Sequence, residues 1–576
     1  MVKKKLAIVG VGPRGLYAAE NFITQLSLTE DQTTLELLLF EVTGDFGNGQ
    51  VYSTAQVKSN WINITERILT LPKRDEVVYN GTIIPGFSSY HHWANLNFDK
   101  IGSSEPDIYP PRAKIGAYLK ERFTSLITPL LLNKTATLYN QNVKSIEVLA
   151  NNKVRLTTEN QNFTDLDEVL LTIGHQSTKL SEQLIKWNSY FKNNSNVHLF
   201  LDPYPVKNYI DVTNTQRKAH IGVRGVGLAM LDVMRGVLAK QGTFKITDKH
   251  TQKCQFTANK NANTVIVPFS LDGLPPVPKP LNKVIDDLYK PSKEQFSNLE
   301  KEIGDKTAQS NAKGVDFLVS AIVPIVASIY TSLPHTLGNK NYTFKQVEEA
   351  AFKWITNQNY KHSLILPTET PIVSLINSYV DMATATSAIS LDFCVGQVWR
   401  HCQPSIYKQL SYNNFSNEVF ANIIALDEQI KRYSYGPPVE SIQQMLALVD
   451  AQILNLEYVN NPEIELSENG WIIKSKNKNI VANIMINSVL DAPDITAVKS
   501  DLVKSLLYNE SIKIVSDNLG VQTTKDGYLI EKDTENKLPI ALLGRLAKGT
   551  VIGVDAILEC FGDRPAEWAK AAVNRK

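Results

Sequence analysis

Cysteine is scarce in this chain: Cys254, Cys394, Cys402 and Cys560 are the four thiols in 576 residues, and no two form a CxxC pair. Zinc knuckles and dithiol redox centres need closely spaced thiols, so both are excluded, and with them a flavin reductase of the disulfide type. Cys394 and Cys402 stand about two helical turns apart, too far for a disulfide within one helix. An excess of one charge is also missing: 60 basic against 58 acidic residues leave +2, no field that would gather nucleic acid or acidic lipid. Long apolar runs are missing as well. The best, Phe317 to Leu333, is short, broken by Pro324 and dotted with serines, and reads as a buried helix rather than a membrane span. The start MVKKKLAIVGVG runs from charge straight into a glycine-rich turn, without the apolar region and cleavage site of an export signal. The expected location is therefore cytoplasmic, with neither nucleic acid nor membrane as a partner. His91 and His92 are neighbours in sequence and do not face each other on a helix, so no metal site is expected there.

What is present is the material of an ordinary globular protein, 43% apolar and 20% charged, long enough for about two to four domains. KLAIVG over residues 5–10 and LELLLF over 35–40 are short apolar runs on either side of a helix-length amphipathic stretch. Near-continuous apolar runs of this kind belong to parallel strands covered on both faces. Between them Gly10-Val11-Gly12-Pro13-Arg14-Gly15 is a full G-x-G-x-x-G, directly after a strand and directly before a helix. One glycine allows the turn, the next lets a pyrophosphate approach the main chain, and the third lets helix and strand pack closely. Glu41 closes the second strand, where an acid hydrogen-bonds an unphosphorylated ribose, as in FAD or NAD.

A second cluster, AHIGVRGVGLAMLDVMRGVLA from Ala219, repeats the order strand, glycines, helix. Its glycines read G-x-x-G-x-G over Gly222, Gly225 and Gly227, a departure from the strict fingerprint. Two readings stand: an NAD(P) site, with Arg224 near a 2′-phosphate or simply solvated, or a vestigial nucleotide fold that buttresses the first. DEVLLTIGH over 167–175 ends in Thr172, Gly174 and His175, the last placed for a cofactor contact or for local backbone bonds. From 283 to 460 long helical periods replace the strands, and short strands return after 460. The expected fold is α/β, with two Rossmann-like dinucleotide-binding folds and a large helical insertion. Its parts are 1–200, the first part of the FAD-binding domain; 201–282, NAD(P)-binding-like; 283–460, the insertion; and 461–576, a return to the sheet that closes the FAD-binding domain.

These segments resemble a family of bacterial FAD/NAD(P)-binding proteins that is distantly similar to class B flavin monooxygenases such as the ornithine and lysine N-hydroxylases. The resemblance spreads over KLAIVGVGPRGLYAAENF, GNGQVYSTAQVKSNWINIT, YPPRAKIGAYL, DEVLLTIGHQ, IGVRGVGLAMLDV, SLDGLPPVPKP, RYSYGPPVESIQQMLALVDAQI and LLGRLAKGTVIGVDAILECFGDRPAEWA. It implies that Gly10, Gly12, Pro13, Arg14, Gly15 and Glu41 hold FAD. It also implies that the segment Asn60 to Thr65, with Asn63, lies along the flavin, and that Thr172, Gly174 and His175 return the chain to the FAD domain. Gly544, Arg545, Gly549 and Thr550 would close over the flavin end, with a helix N-terminus near the pyrimidine ring. Gly222, Gly225 and Gly227 are the residues expected at NADPH or NADH.

The function expected is an FAD-dependent oxidoreductase reduced by NAD(P)H, a monooxygenase where the reduced flavin activates molecular oxygen, acting on a small polar substrate. The alternative is a flavin-binding redox-sensing or assembly partner without its own turnover. Arg67, Arg112, Arg400 and His401 are the expected substrate-side residues; no catalytic dyad and no oligomeric state can be read from the sequence.

Overall fold

A computed structural model describes residues 3–29, 33–98, 102–215, 219–260, 264–338, 341–476, 478–509 and 512–575. Strand β1 (Lys3–Val9), helix α1 (Pro13–Ser27) and strand β2 (Thr34–Phe40) open the chain, and β1 and β2 pair in parallel over their whole length. The last four residues of both strands are buried, as their unbroken apolar ends require. Their sheet has six strands, in the order Tyr528–Ile530, Lys537–Leu542, Glu168–Leu171, β1, β2, Ala136–Tyr139. All neighbours are parallel except the Tyr528–Ile530 edge. One sheet is thus assembled from the two ends of the chain, and the C-terminal helix Asp563–Asn574 packs on α1 through buried Trp568 against Phe22.

A second sheet, His198–Phe200, Ile484–Asn487, Ala219–Arg224 and Thr264–Phe269, is parallel throughout. Parallel bridges Ile266 to Leu454 and Ser270 to Asn460 extend its far edge. Helices from Lys283–Asp287 to Val439–Asp450 stack beside it, and one continuous core runs from Ile221 and Met230 through Ile322 and Trp399 to Leu448. The architecture is a mixed α/β fold with two parallel sheets. Helix Asp316–Ser332 covers most of the Phe317 to Leu333 run and is largely buried in this core. Among the described residues no helix is long and apolar enough to cross a membrane.

Candidate functional site

The first glycine turn is built by close approach. Gly10 has φ +89°, and a Cβ there would lie 2.6 Å from the Thr172 carbonyl oxygen; one on Gly15 would lie 2.6 Å from Gly10 O and 2.9 Å from Thr172 Oγ1. Gly10 N–H donates to Phe40 O at 2.8 Å, and the Thr172 hydroxyl donates to Gly10 O, so the turn is fixed to both neighbouring strands. Gly12 caps α1 in an extended conformation, and the nearest atom to a Cβ there is Gly49 Cα at 3.8 Å. The N-terminus of α1 has no side-chain cap and no acid in its first turn, while Pro13 removes one N–H that would otherwise need a partner. Free N–H groups at the positive end of the helix dipole form an anion site. Glu41, 7% exposed at the end of β2, accepts from Thr43 N and Oγ1 on Oε1 alone.

The segment after the second strand forms a wall rich in unsatisfied oxygen. Asn48 Oδ1, Ser59 Oγ, Asn60 Oδ1, Asn63 Oδ1 and Thr65 Oγ1 are all buried without a hydrogen-bond partner. The amide nitrogens of the three asparagines are bonded, to Tyr52 O, Gln56 Oε1 and Tyr435 O. A buried polar atom left without a partner costs about 1–3 kcal/mol, so five in one segment point to donors that a bound ligand would bring. With the glycine cradle and the uncapped helix, this wall fits a dinucleotide bearing a ring with N–H groups, which is the chemistry of FAD.

The chain's last segment locks onto this turn. Arg14 Nη2 donates to Val554 O at 3.2 Å, and Gly544, at φ +120°, leaves the room that the Arg14 guanidinium fills. Arg545 pairs with Asp555 at 2.5 Å and donates to Asp491 O. His175 lies at the exposed rim, where its surroundings and then Arg545 hold the imidazole below its ordinary range; Gly174 (φ +67°) has open space where a Cβ would stand. No helix starts at Gly549 itself; the closing segment turns helical at Ile557. Gly549 packs on Val515, Thr550 Oγ1 accepts from Thr523 N, and helix resumes only at Ile557–Cys560 and then Asp563–Asn574. The polar groups of that stretch are spent on the protein's own backbone.

The second turn corrects the register read from the sequence. Gly222 lies inside strand Ala219–Arg224, its α-carbon packed where a Cβ would strike Met485, so it is a packing residue and not part of the turn. The turn itself is Gly225 and Gly227. Gly225 has φ +108° and donates to Phe269 O at 2.7 Å, as Gly10 does to Phe40 O. Gly227 caps helix Leu228–Leu238 at φ −96°, ψ −164°, beside −84° and −160° for Gly12. The pattern is therefore G-x-G-x-x-M, with buried Met230 in place of the third glycine. Ser270 follows Phe269 where Glu41 follows Phe40. Arg224 is held by Gln183 Oε1 and Asn487 Oδ1.

The four substrate-side expectations meet a different fate. Arg67, Arg400 and His401 converge on Asp286, at 3.4 Å from Arg67 and 3.2 Å from His401, with Arg400 in direct contact; Arg67 also grips Asp107 at 2.6 and 2.9 Å. Arg400 first, and the His401 hydrogen bond, hold Asp286 well below the usual carboxylate range against its burial. All three side chains are engaged by the protein's own groups. Arg112 donates to Tyr204 and Asp232, both at 3.2 Å, and to Trp61 O, joining the wall to the second sheet's domain. The residue that sequence reasoning passed over is Lys279, on the proline-rich strap Leu274–Pro280, whose Nζ donates to Asn63 O at 2.6 Å. A single lysine between prolines in an apolar stretch was the available signal.

Residues 7–176 match a family model described as FAD-NAD(P)-binding. The chain is 28% identical over 232 residues to nitrosuccinic acid synthase npaA of Aspergillus oryzae, covering 40% of this chain and 34% of that protein. It is 24% identical over 257 residues to the protein YdhS of Escherichia coli, covering 43% and 41%. The chain thus spans well under half the length of the curated relatives it matches. L-lysine 6-monooxygenase of Pseudomonas syringae superposes over 99% of this chain and 98% of its own at 12% identity, with a TM-score of 0.47. The matched segment 7–176 takes in the Gly10 turn, Glu41, the oxygen-rich wall and Thr172.

Proposed function

We propose that the chain is an FAD-dependent oxidoreductase, reduced by NADPH or NADH, that uses molecular oxygen to act on a small polar substrate. The observation that carries this reading is the duplication of one turn. Gly10 and Gly12, and again Gly225 and Gly227, stand in matching conformations, each bonded to the end of the neighbouring parallel strand. Two dinucleotide-binding folds, one with a wall suited to a flavin, are what hydride transfer between two nucleotides requires.

FAD, when bound, supplies hydride acceptance and oxygen activation; the protein supplies position and enclosure. The α1 N-terminus and Gly12 would receive the pyrophosphate, Glu41 the ribose, and Asn48, Asn60 and Thr65 the ring edge, with Asn63 alongside. Arg14, through Val554 O, ties the closing segment 544–555 to the first turn, and Arg545, through Asp491 O, ties it to the chain after the second sheet. Gly225 and Gly227 receive the nicotinamide nucleotide. Arg112, shared by Trp61, Tyr204 and Asp232, keeps the two nucleotide sites in register.

Oxygen uptake by the purified protein with NADPH and with NADH, alone and with small polar candidates, tests this. The reading expects nucleotide-dependent uptake that a substrate accelerates; an absence of uptake and of flavin reduction with both nucleotides overturns it.

A further inference from the structure

Charge balance in the cleft singles out one group. Arg67 and Arg400 face Asp107 and Asp286, two cations against two anions, with His401 held below its ordinary range and so uncharged. Tyr109 stands in the same field, its phenol pushed upward by burial and Asp107 and therefore neutral as well. Lys279 is the surplus. Among the described residues no carboxylate lies within ion-pairing distance of its Nζ, and of its three donors only one finds an acceptor, Asn63 O. Burial drives the amine down to about 7, Arg400 adds to that, and Asp286 and Asp107 oppose it. Taken whole, Lys279 is half-buried, its stem reaching out from the strap. Beside it, Asn63 Oδ1 is buried and has no donor.

The strap that carries it is fixed. Val277 N donates to Arg432 O, Lys279 N to Pro437 O and Leu281 N to Ala383 O, while Gly436 lies so close to Val277 O that no side chain fits between them. A surplus amine on a rigid strap and an unmatched acceptor on the same residue as its partner atom form a matched pair. An anion on the amine and a donor on the amide oxygen would complete both.

We propose that Lys279 anchors a carboxylate of the substrate, taking a proton from solvent as it does so, while Asn63 Oδ1 accepts from a donor on the same molecule. Calling the ligand a substrate rests on the function proposed above; the anion site itself does not. Ion pairing in this enclosed setting favours the ammonium, so binding and proton uptake are coupled.

The test is calorimetric titration of the protein as isolated with short mono-, di- and amino-carboxylates and with their uncharged amides, in two buffers of different ionisation enthalpy. At about pH 8, carboxylates should bind with uptake of up to about one proton and the amides without it; at about pH 6 the uptake should fade. Lys279→Met should lose at least about tenfold in carboxylate affinity, and Lys279→Gln a similar amount, with FAD content unchanged. Carboxylate binding that is absent in the natural protein, proceeds without proton uptake, or is equal in both folded variants would overturn the proposal. Loss of FAD and NAD(P)H turnover in the natural protein would sink the functional reading, while the calorimetric result on Lys279 would stand by itself.

Discussion

At the scale of residues, two glycines three positions apart do different work. Gly15 is filled against: any side chain there meets Gly10 O at 2.6 Å, so Gly15→Ala must push α1 off the sheet. Gly12 faces space that only Gly49 Cα borders, at 3.8 Å. Gly12→Ala is therefore expected to leave the melting temperature of the FAD-free protein nearly unchanged and to weaken FAD binding by at least about tenfold. Gly15→Ala should lower stability itself, by about 1–3 kcal/mol. Thermal melts and FAD titration of both variants check this pair, and FAD affinity unchanged in Gly12→Ala would remove the cradle assignment.

Glu168 is a residue-scale feature of another kind. It is fully buried at the start of its strand, Oε1 accepts from Tyr528 and Trp568 at 2.8 Å each, and Oε2 has no partner. Burial raises its carboxyl to about 7, from 4.5 for a free glutamate, against the pull of Lys4. Between those values the folded protein keeps a proton that the unfolded chain has released. Stability therefore falls as pH rises through that window, and the loss persists above it. Glu168→Gln removes the charge and keeps the shape. It should raise the melting temperature at about pH 8 by the equivalent of roughly 2 kcal/mol and change it little at about pH 4. Equal destabilisation at both would show that the carboxylate is needed for its bonds rather than tolerated.

At the scale of elements, the two turns differ where specificity is decided. Glu41 after Phe40 suits a free ribose diol; Ser270 after Phe269 is itself uncharged, its hydroxyl donating to Asp272 two residues on. The second site should accept NADPH at least as readily as NADH, and Ser270→Glu should shift the kcat/KM ratio towards NADH by about tenfold or more. Steady-state kinetics with both nucleotides decide it; an unchanged ratio would place the 2′-position elsewhere. The first turn was legible in sequence because fingerprint, strand and acid fall within one local stretch. The second was misregistered because Gly222, inside a strand, is indistinguishable by spacing from a turn glycine. Only the packing of Met485 on it separates the two. The late start of the helix after Gly549 has a related cause: Val515, Thr523 and Tyr412, distant in sequence, hold Gly549 and Thr550 in a turn.

At the scale of the whole molecule, the helices of 283–460 are not an appendage. Their core is continuous with that of the second sheet, from Val223 and Met234 to Trp354 and Ile430, so removing them would bare the sheet's helix layer. A chain lacking 283–460 should not fold, as circular dichroism and gel filtration would show; a folded, FAD-binding remainder would contradict this. The sequence showed a change from strand to helical periodicity near 283. It did not show that Asp286 of this region draws Arg67 from the first domain, because ion pairs across more than two hundred residues leave no local pattern. For the same reason the arginines with obvious charge were expected at the substrate, and Lys279, whose lack of a counter-ion appears only in three dimensions, was not.

The most direct test of the account is the visible spectrum of the purified protein without oxygen, before and after NADPH and then NADH. Two turns of one geometry and a segment of unmatched oxygens predict a yellow protein whose flavin bands bleach with at least one nucleotide and return when air is admitted. A protein that retains no FAD, or a bound flavin that neither nucleotide reduces, would contradict it.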